Sequence, residues 1–179
     1  SYTVINAAGC SDSVSKTIVV SALPVIAPIT GSDSVCVGHT INLSETTSGG
    51  SWLSDNSGIA TITNTGLVTG ISAGTVRISY TVINAAGCSD SVSKTIIVSA
   101  LPVIAPITGP DSVCVGHTIN LSEATAGGSW LSNNSGIATI SNTGLVTGIS
   151  SGTVRFSYTV INAAGCSDSV SKTIIVSAL

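Results

Sequence analysis

Charge is scarce in this chain. Only 7% of its 179 residues are Asp, Glu, Lys or Arg, five basic against eight acidic, and they are spread thinly. No basic face exists to hold nucleic acid or an anionic membrane, so neither partner is expected. No apolar run approaches the roughly 20 residues that span a bilayer, and no charged, apolar and small-residue succession reads as a signal peptide. Histidine occurs only as His39 and His117, each beside a glycine, with neither a cysteine nucleophile nor paired carboxylates next to it. The cysteines have no Cys-x-x-Cys spacing, which argues against a zinc site. No helical period survives anywhere. An enzyme and a cofactor are therefore not expected.

What is present is β-forming. The hydrophobic fraction of 43% is enough for packed cores, and the polar balance is carried by Ser, Thr, Gly and Asn set between Val and Ile. Self-comparison finds a period of 78 residues: Cys10, Cys88 and Cys166 recur at that interval, as do Cys36 and Cys114, Trp52 and Trp130, and Arg77 and Arg155. Residues 23–100 and 101–178 differ at seven positions: Ser32/Pro110, Thr46/Ala124, Ser48/Ala126, Asp55/Asn133, Thr63/Ser141, Ala73/Ser151 and Ile78/Phe156. Residues 1–22 repeat 79–100 with one change, Val19 for Ile97. The expected organisation is thus 1–22 as the C-terminal strands of a truncated module, then modules at 23–100 and 101–179, cut from a longer array.

Within a module, period-two runs alternate with turn signals. Val76, Ile78, Tyr80 and Val82 fall on one face and Arg77, Ser79, Thr81 and Ile83 on the other. Shorter runs at 35–37, 40–44, 51–54, 59–63, 67–71 and 92–99 lie between Gly49-Gly50, Asn56-Ser57-Gly58, Asn64-Thr65-Gly66, Ala73-Gly74 and Asn84-Ala85-Ala86-Gly87. About seven strands per module predicts an all-β, two-sheet sandwich with Trp52 or Trp130 as its buried aromatic.

The run Trp52-Leu-Ser-Asp-Asn-Ser-Gly-Ile-Ala-Thr-Ile, followed by Thr65-Gly-Leu-Val-Thr-Gly-Ile-Ser-Ala-Gly-Thr-Val, resembles bacterial Ig-like domains of group 2. The added cysteine pair and the Leu23-Pro-Val-Ile-Ala-Pro-Ile-Thr-Gly junction are similar to versions in giant repetitive surface proteins of Bacteroidota. The resemblance implies tandem Ig-like sandwiches in an extracellular, cell-surface filament attached to the outer membrane. Such a fibre or stalk is structural and adhesive, of the gliding-motility adhesin type, with further copies of the module as its partners and neighbouring fibres or surface glycans as others. A glycan- or protein-binding module and a passive spacer are the alternatives.

The cysteines are spaced 26, 52, 26, 52, which leaves two pairings open: Cys36 with Cys88 inside a module, or Cys88 with Cys114 across a junction. In an Ig-like sandwich the first strand lies beside the last. That favours Cys36 with Cys88 and Cys114 with Cys166, leaving Cys10 to a residue upstream. The junction Ser99-Ala-Leu-Pro-Val-Ile-Ala-Pro is apolar, and its prolines fix φ, so successive modules are expected to be semi-rigidly joined. Calcium prefers six to eight oxygens, and a module offers only Asp33, Glu45, Asp55 and Asp90; no metal site is expected. Lys94 is expected to snorkel to a sheet edge. Asp-Ser-Val recurs, and it resembles the O-glycosylation acceptor of Bacteroidota, at Ser13, Ser34, Ser91, Ser112 and Ser169; the same dipeptide also simply starts strands after turns.

Overall fold

The computed structural model describes residues 1–178, and its regular structure is all β. A short hairpin, β1 (Tyr2–Ile5) with β2 (Ser11–Val14), precedes two sandwiches. The first contains β3 (Ser34–Cys36), β4 (Thr40–Asn42), β5 (Ser51–Ser54), β6 (Ala60–Ile62), β7 (Leu67–Gly70), β8 (Gly74–Ile83) and β9 (Ser89–Ser99). The second repeats it with β10 (Ser112–Cys114), β11 (Thr118–Asn120), β12 (Ser129–Ser132), β13 (Ala138–Ile140), β14 (Leu145–Gly148), β15 (Gly152–Ile161) and β16 (Ser167–Ser177). Each sandwich faces a four-stranded sheet, β3-β9-β8-β5 or β10-β16-β15-β12, against a three-stranded one, β4-β7-β6 or β11-β14-β13.

The long hairpin β8–β9 is the frame. It pairs from Gly74 opposite Val98 to Ile83 opposite Ser89, and the turn at Asn84–Cys88 closes it. Its alternation buries Val76, Ile78, Tyr80 and Val82 while Arg77 and Ile83 face out, as the period-two pattern predicts. Strand β3 pairs with β9 in parallel, Cys36 standing opposite Ser99. The chain then crosses to the second sheet, where Val37 bridges Gly70. The core gathers Val35, Leu43, Ala60, Val68, Val76, Ile78, Ile96 and Val98, and its counterpart in the second sandwich is built from the equivalent residues with Phe156 in place of Ile78.

The buried aromatic differs from expectation. Tyr80 and Tyr158 are each 7% exposed, while Trp52 and Trp130 are half-buried lids with ring centroids 4.9 Å from those tyrosines. The tyrosine ring lies inward because its hydroxyl has buried work available: it donates to Thr47 O at 2.7 Å and accepts from Gly50 N at 2.9 Å.

Of the seven differences between copies, six fall on exposed positions. Two of those conserve a hydrogen bond. Asp55 or Asn133 accepts from the amide of Arg77 or Arg155 at 3.0 and 2.9 Å, and Thr63 or Ser141 accepts from Leu67 or Leu145 at 3.2 and 3.1 Å. The seventh, Ile78/Phe156, is wholly buried in both.

Residues 1–22 act as an internal control on what the sequence can do without partners. Ile18 and Val20 are 78% and 91% exposed, whereas their repeats Ile96 and Val98 are 0% and 2% exposed. β2 stops at Val14 opposite Tyr2, whereas β9 continues to Ser99, paired along β8 back to Gly74 and at its end with β3. An isolated hairpin has no second sheet to cover it.

The paired cores predict an asymmetry among substitutions at one site. Ile78→Ala is expected to destabilise the first sandwich by about 2–5 kcal/mol through the cavity it leaves. Ile78→Phe should cost less than about 1.5 kcal/mol, since the same backbone already packs Phe156. Urea denaturation of the two variants checks the order, and equal losses would contradict it.

Candidate functional site: the module junction

Among the described residues, no group of three or more His, Cys, Asp or Glu side chains is placed to hold a metal. Both histidine rings are exposed, with Nδ1 turned to the carbonyl of Val37 or Val115 at 3.2 Å. Gly70-Ile71-Ser72-Ala73-Gly74 has the Gly-x-Ser-x-Gly spacing. It lies in the β7–β8 turn with no helix after it, and Ser72 Oγ donates to Gly58 O at 2.6 Å, so the hydroxyl locks a turn. Asp33 stands opposite the end of β9, where it forms an ion pair with Lys94, and Asp111 with Lys172 repeats it. Asp90 lies seven residues further back along β9, opposite Val82, so the two aspartates are not brought together.

The structure concentrates its specific polar contacts at the junction. Chain leaving β9 is held at Ser99, whose carbonyl accepts from Val37 N at 2.9 Å. One residue on, Ala100 O accepts from Asn162 Nδ2 at 2.8 Å, a side chain in the β15–β16 turn of the following sandwich. The same Asn162 fixes its own turn, since Oδ1 accepts from Ala164 N and Cys166 N, both at 3.0 Å. Further along, Ala105 N donates to Thr125 Oγ1 at 3.0 Å. Thr125 is itself clamped: Glu123 accepts from its amide at 2.6 Å and its hydroxyl at 2.8 Å, while Tyr158 OH donates to its carbonyl at 2.8 Å. A run of hydrogen bonds thus links a core tyrosine of one sandwich to the segment that leaves the other.

A disulfide between Cys36 and Cys166 closes this junction, with Cα atoms 5.7 Å apart. The expected pairs Cys36 with Cys88 and Cys114 with Cys166 are corrected, and Cys88 with Cys114 is not formed either: Cys10, Cys88 and Cys114 are free thiols. The reason is where the first strand meets the last. β3 pairs only with the far end of β9, so Cys36 stands opposite Ser99 while Cys88 precedes the other end of that strand. Eleven residues at about 3.3 Å separate them by roughly 35 Å, far beyond the distance a disulfide spans. Cys114, opposite Ser177, is held away from Cys166 in the same way.

Ser13, Ser34, Ser91, Ser112 and Ser169 are all exposed. The amides of Ser13, Ser91 and Ser169 donate to the preceding aspartate, at 2.8, 2.8 and 2.7 Å. Trp130 borders a shallow open cleft of about 370 Å³ with Asn120, Glu123, Asn142, Thr143 and Tyr158.

The junction predicts two outcomes. Peptide mapping without reduction should find Cys36 linked to Cys166, with Cys10, Cys88 and Cys114 taking an alkylating agent; a Cys36–Cys88 peptide would contradict it. Thr125→Val should cost about 0.5–1.5 kcal/mol and speed hydrogen exchange at the Ala105 amide, with unchanged exchange there counting against the clamp.

No curated protein matches the chain in sequence. Among solved structures, an EHEC O157:H7 intimin mutant is 26% identical over 44% of this chain and 39% of that one, with a TM-score of 0.33. The C-terminal 282-residue fragment of intimin, in complex with the intimin-binding domain of the translocated intimin receptor, is 14% identical over 83% and 63%, with a TM-score of 0.41. The S-layer protein rSbsC is 17% identical over 88% and 28%, with a TM-score of 0.33. The chain spans less than two-thirds of each of these proteins. Residues 34–96, from the start of β3 into β9, match the family described as bacterial Ig-like domain (group 2), and the chain is an all-β tandem array of Ig-like sandwich modules.

Proposed function

We propose that this chain is a length of a long extracellular cell-surface fibre or stalk, a structural and adhesive repeat rather than an enzyme. The observation that carries the reading is the disulfide across the junction: it fixes one module to the next, and such a bond persists in an oxidising, extracellular setting. Near-identity of the copies supports it, because modules that serve length need no variety while modules that recognise different ligands do. The repeating unit is Leu23–Ala100 and then 101–179, with 1–22 as the end of a preceding unit. A ten-residue strand at about 3.3 Å per residue plus the junction gives on the order of 35–45 Å of fibre per module.

Resemblance of the cysteine-bearing modules to gliding-motility adhesins of Bacteroidota makes an outer-membrane-attached, moving filament the specific form of this proposal. O-linked sugar on Ser13, Ser34, Ser91, Ser112 and Ser169 belongs to it, supplying solubility to a surface poor in charge. A second reading is a glycan- or protein-binding module, which the cleft beside Trp130 favours.

Antibody to the repeat, followed on live cells by light microscopy and on the same cells by immunogold electron microscopy, tests the proposal. Labelled fibres that travel along the surface support the gliding form, static or shed fibres support a stalk or matrix role, and absence of surface label rejects the filament. Intact mass of the native protein equal to that of the bare polypeptide rejects the sugars.

A further inference from the structure

The cysteines left free are not equivalent to unused ones. Cys88 repeats Cys166 and Cys114 repeats Cys36, each at the 78-residue period. The environment repeats as well. Cys166 Sγ lies 3.9 Å from Ser99 O, and Cys88 Sγ lies 3.9 Å from Ser21 O, the same atom one period earlier. Asn162 Nδ2 donates to Ala100 O at 2.8 Å, and Asn84 Nδ2 donates to Ala22 O at 2.8 Å. The turn carrying Cys88 therefore grips the segment ahead of it as the turn carrying Cys166 does. What differs is the partner: β3 brings Cys36 beside Ser99, whereas no counterpart of β3 lies beside Ser21. Cys166 is 1% exposed and Cys88 only half-buried, as a site lacking its other half should be.

We propose that Cys88 and Cys114 are the two open ends of a staggered disulfide ladder, in which the first cysteine of every module joins the second cysteine of the next. Cys114 takes the Cys166 counterpart of a following module, Cys88 takes the Cys36 counterpart of a preceding one, and Cys10 belongs to an earlier rung still. Each rung spans 130 residues against a period of 78, so neighbouring loops overlap and every stretch of the array lies inside at least one of them. Forming a rung joins two thiol sulfurs and releases two protons and two electrons, which a disulfide oxidant such as oxidised glutathione accepts in becoming two thiols. The partner is another copy of this module, held in place by the junction contacts before the sulfurs react.

The test extends the whole chain in register by one further copy of residues 101–178, refolds it in a glutathione redox buffer, alkylates and maps the peptides. Two linked pairs are expected: Cys36 with Cys166, and Cys114 with the added copy's counterpart of Cys166. Cys10, Cys88 and the added copy's counterpart of Cys114 take the alkylating agent. Alkylated Cys114, or Cys114 linked to Cys88 within or between molecules, overturns the ladder. In the extended chain carrying Cys36→Ser, Cys166 should become alkylatable while the Cys114 rung persists. Transfer of Cys114 to Cys166 in that variant would mean that pairing follows the module and not the junction, and would likewise overturn it.

Discussion

Strand β3 runs parallel to β9, and this one pairing decides what the rest of the molecule can be. Only three residues are involved, Ser34 to Cys36 against Ile97 to Ser99. Running as it does, it sets Cys36 at the end of the module where the chain leaves. The turn that repeats Asn84–Cys88 in the following module, Asn162–Cys166, then meets it there. A hydrogen bond from Asn162 to Ala100 O and one from the Ala105 amide to Thr125 hold the leaving segment so that the sulfurs lie in register.

Much of the fold was legible in the sequence, and for a definite reason. Alternation at Val76 to Ile83 specifies a strand buried on one face, and the Gly-Asn-Ser punctuation specifies where the strands stop, so seven strands per module follow from local pattern alone. Local pattern carries no information on which stretch of one strand a distant strand pairs with. The sequence therefore admitted the wrong cysteine partners, because the spacing of 26 and 52 invites nearest-neighbour pairs while the true one skips over two cysteines. Tryptophan over tyrosine as the buried ring was a smaller error of the same kind: size pointed to Trp52, but a hydroxyl that reaches both Thr47 and Gly50 places Tyr80 deeper.

The repeated sequences separate what is intrinsic from what is contextual. Ile18 and Ile96 sit in nearly the same sequence, with Thr17 and Thr95 before them and Val20 and Val98 two residues on, yet one is largely exposed and the other sealed. Burial here is a property of the assembled sheets, not of the strand. Conversely, Ile78 and Phe156 are different residues in the same place, both fully enclosed, so the core specifies a region to be filled more strictly than it specifies a side chain.

The disulfide also changes how the chain responds when its ends are pulled apart. Load entering from Ser1 reaches Cys36, crosses the sulfur bridge to Cys166 and continues toward the C-terminus, bypassing the residues between them, a sequence separation of 130. Those residues would contribute about 430–470 Å of slack if the sandwiches were drawn out as bare chain. Oxidised, they contribute none, and only the strands outside the bridge, β3 before Cys36 and β16 after Cys166, still carry the pull. Mechanical strength is thereby transferred from marginally stable β-sandwiches to a covalent bond, and the extensibility of the array becomes a matter of redox chemistry.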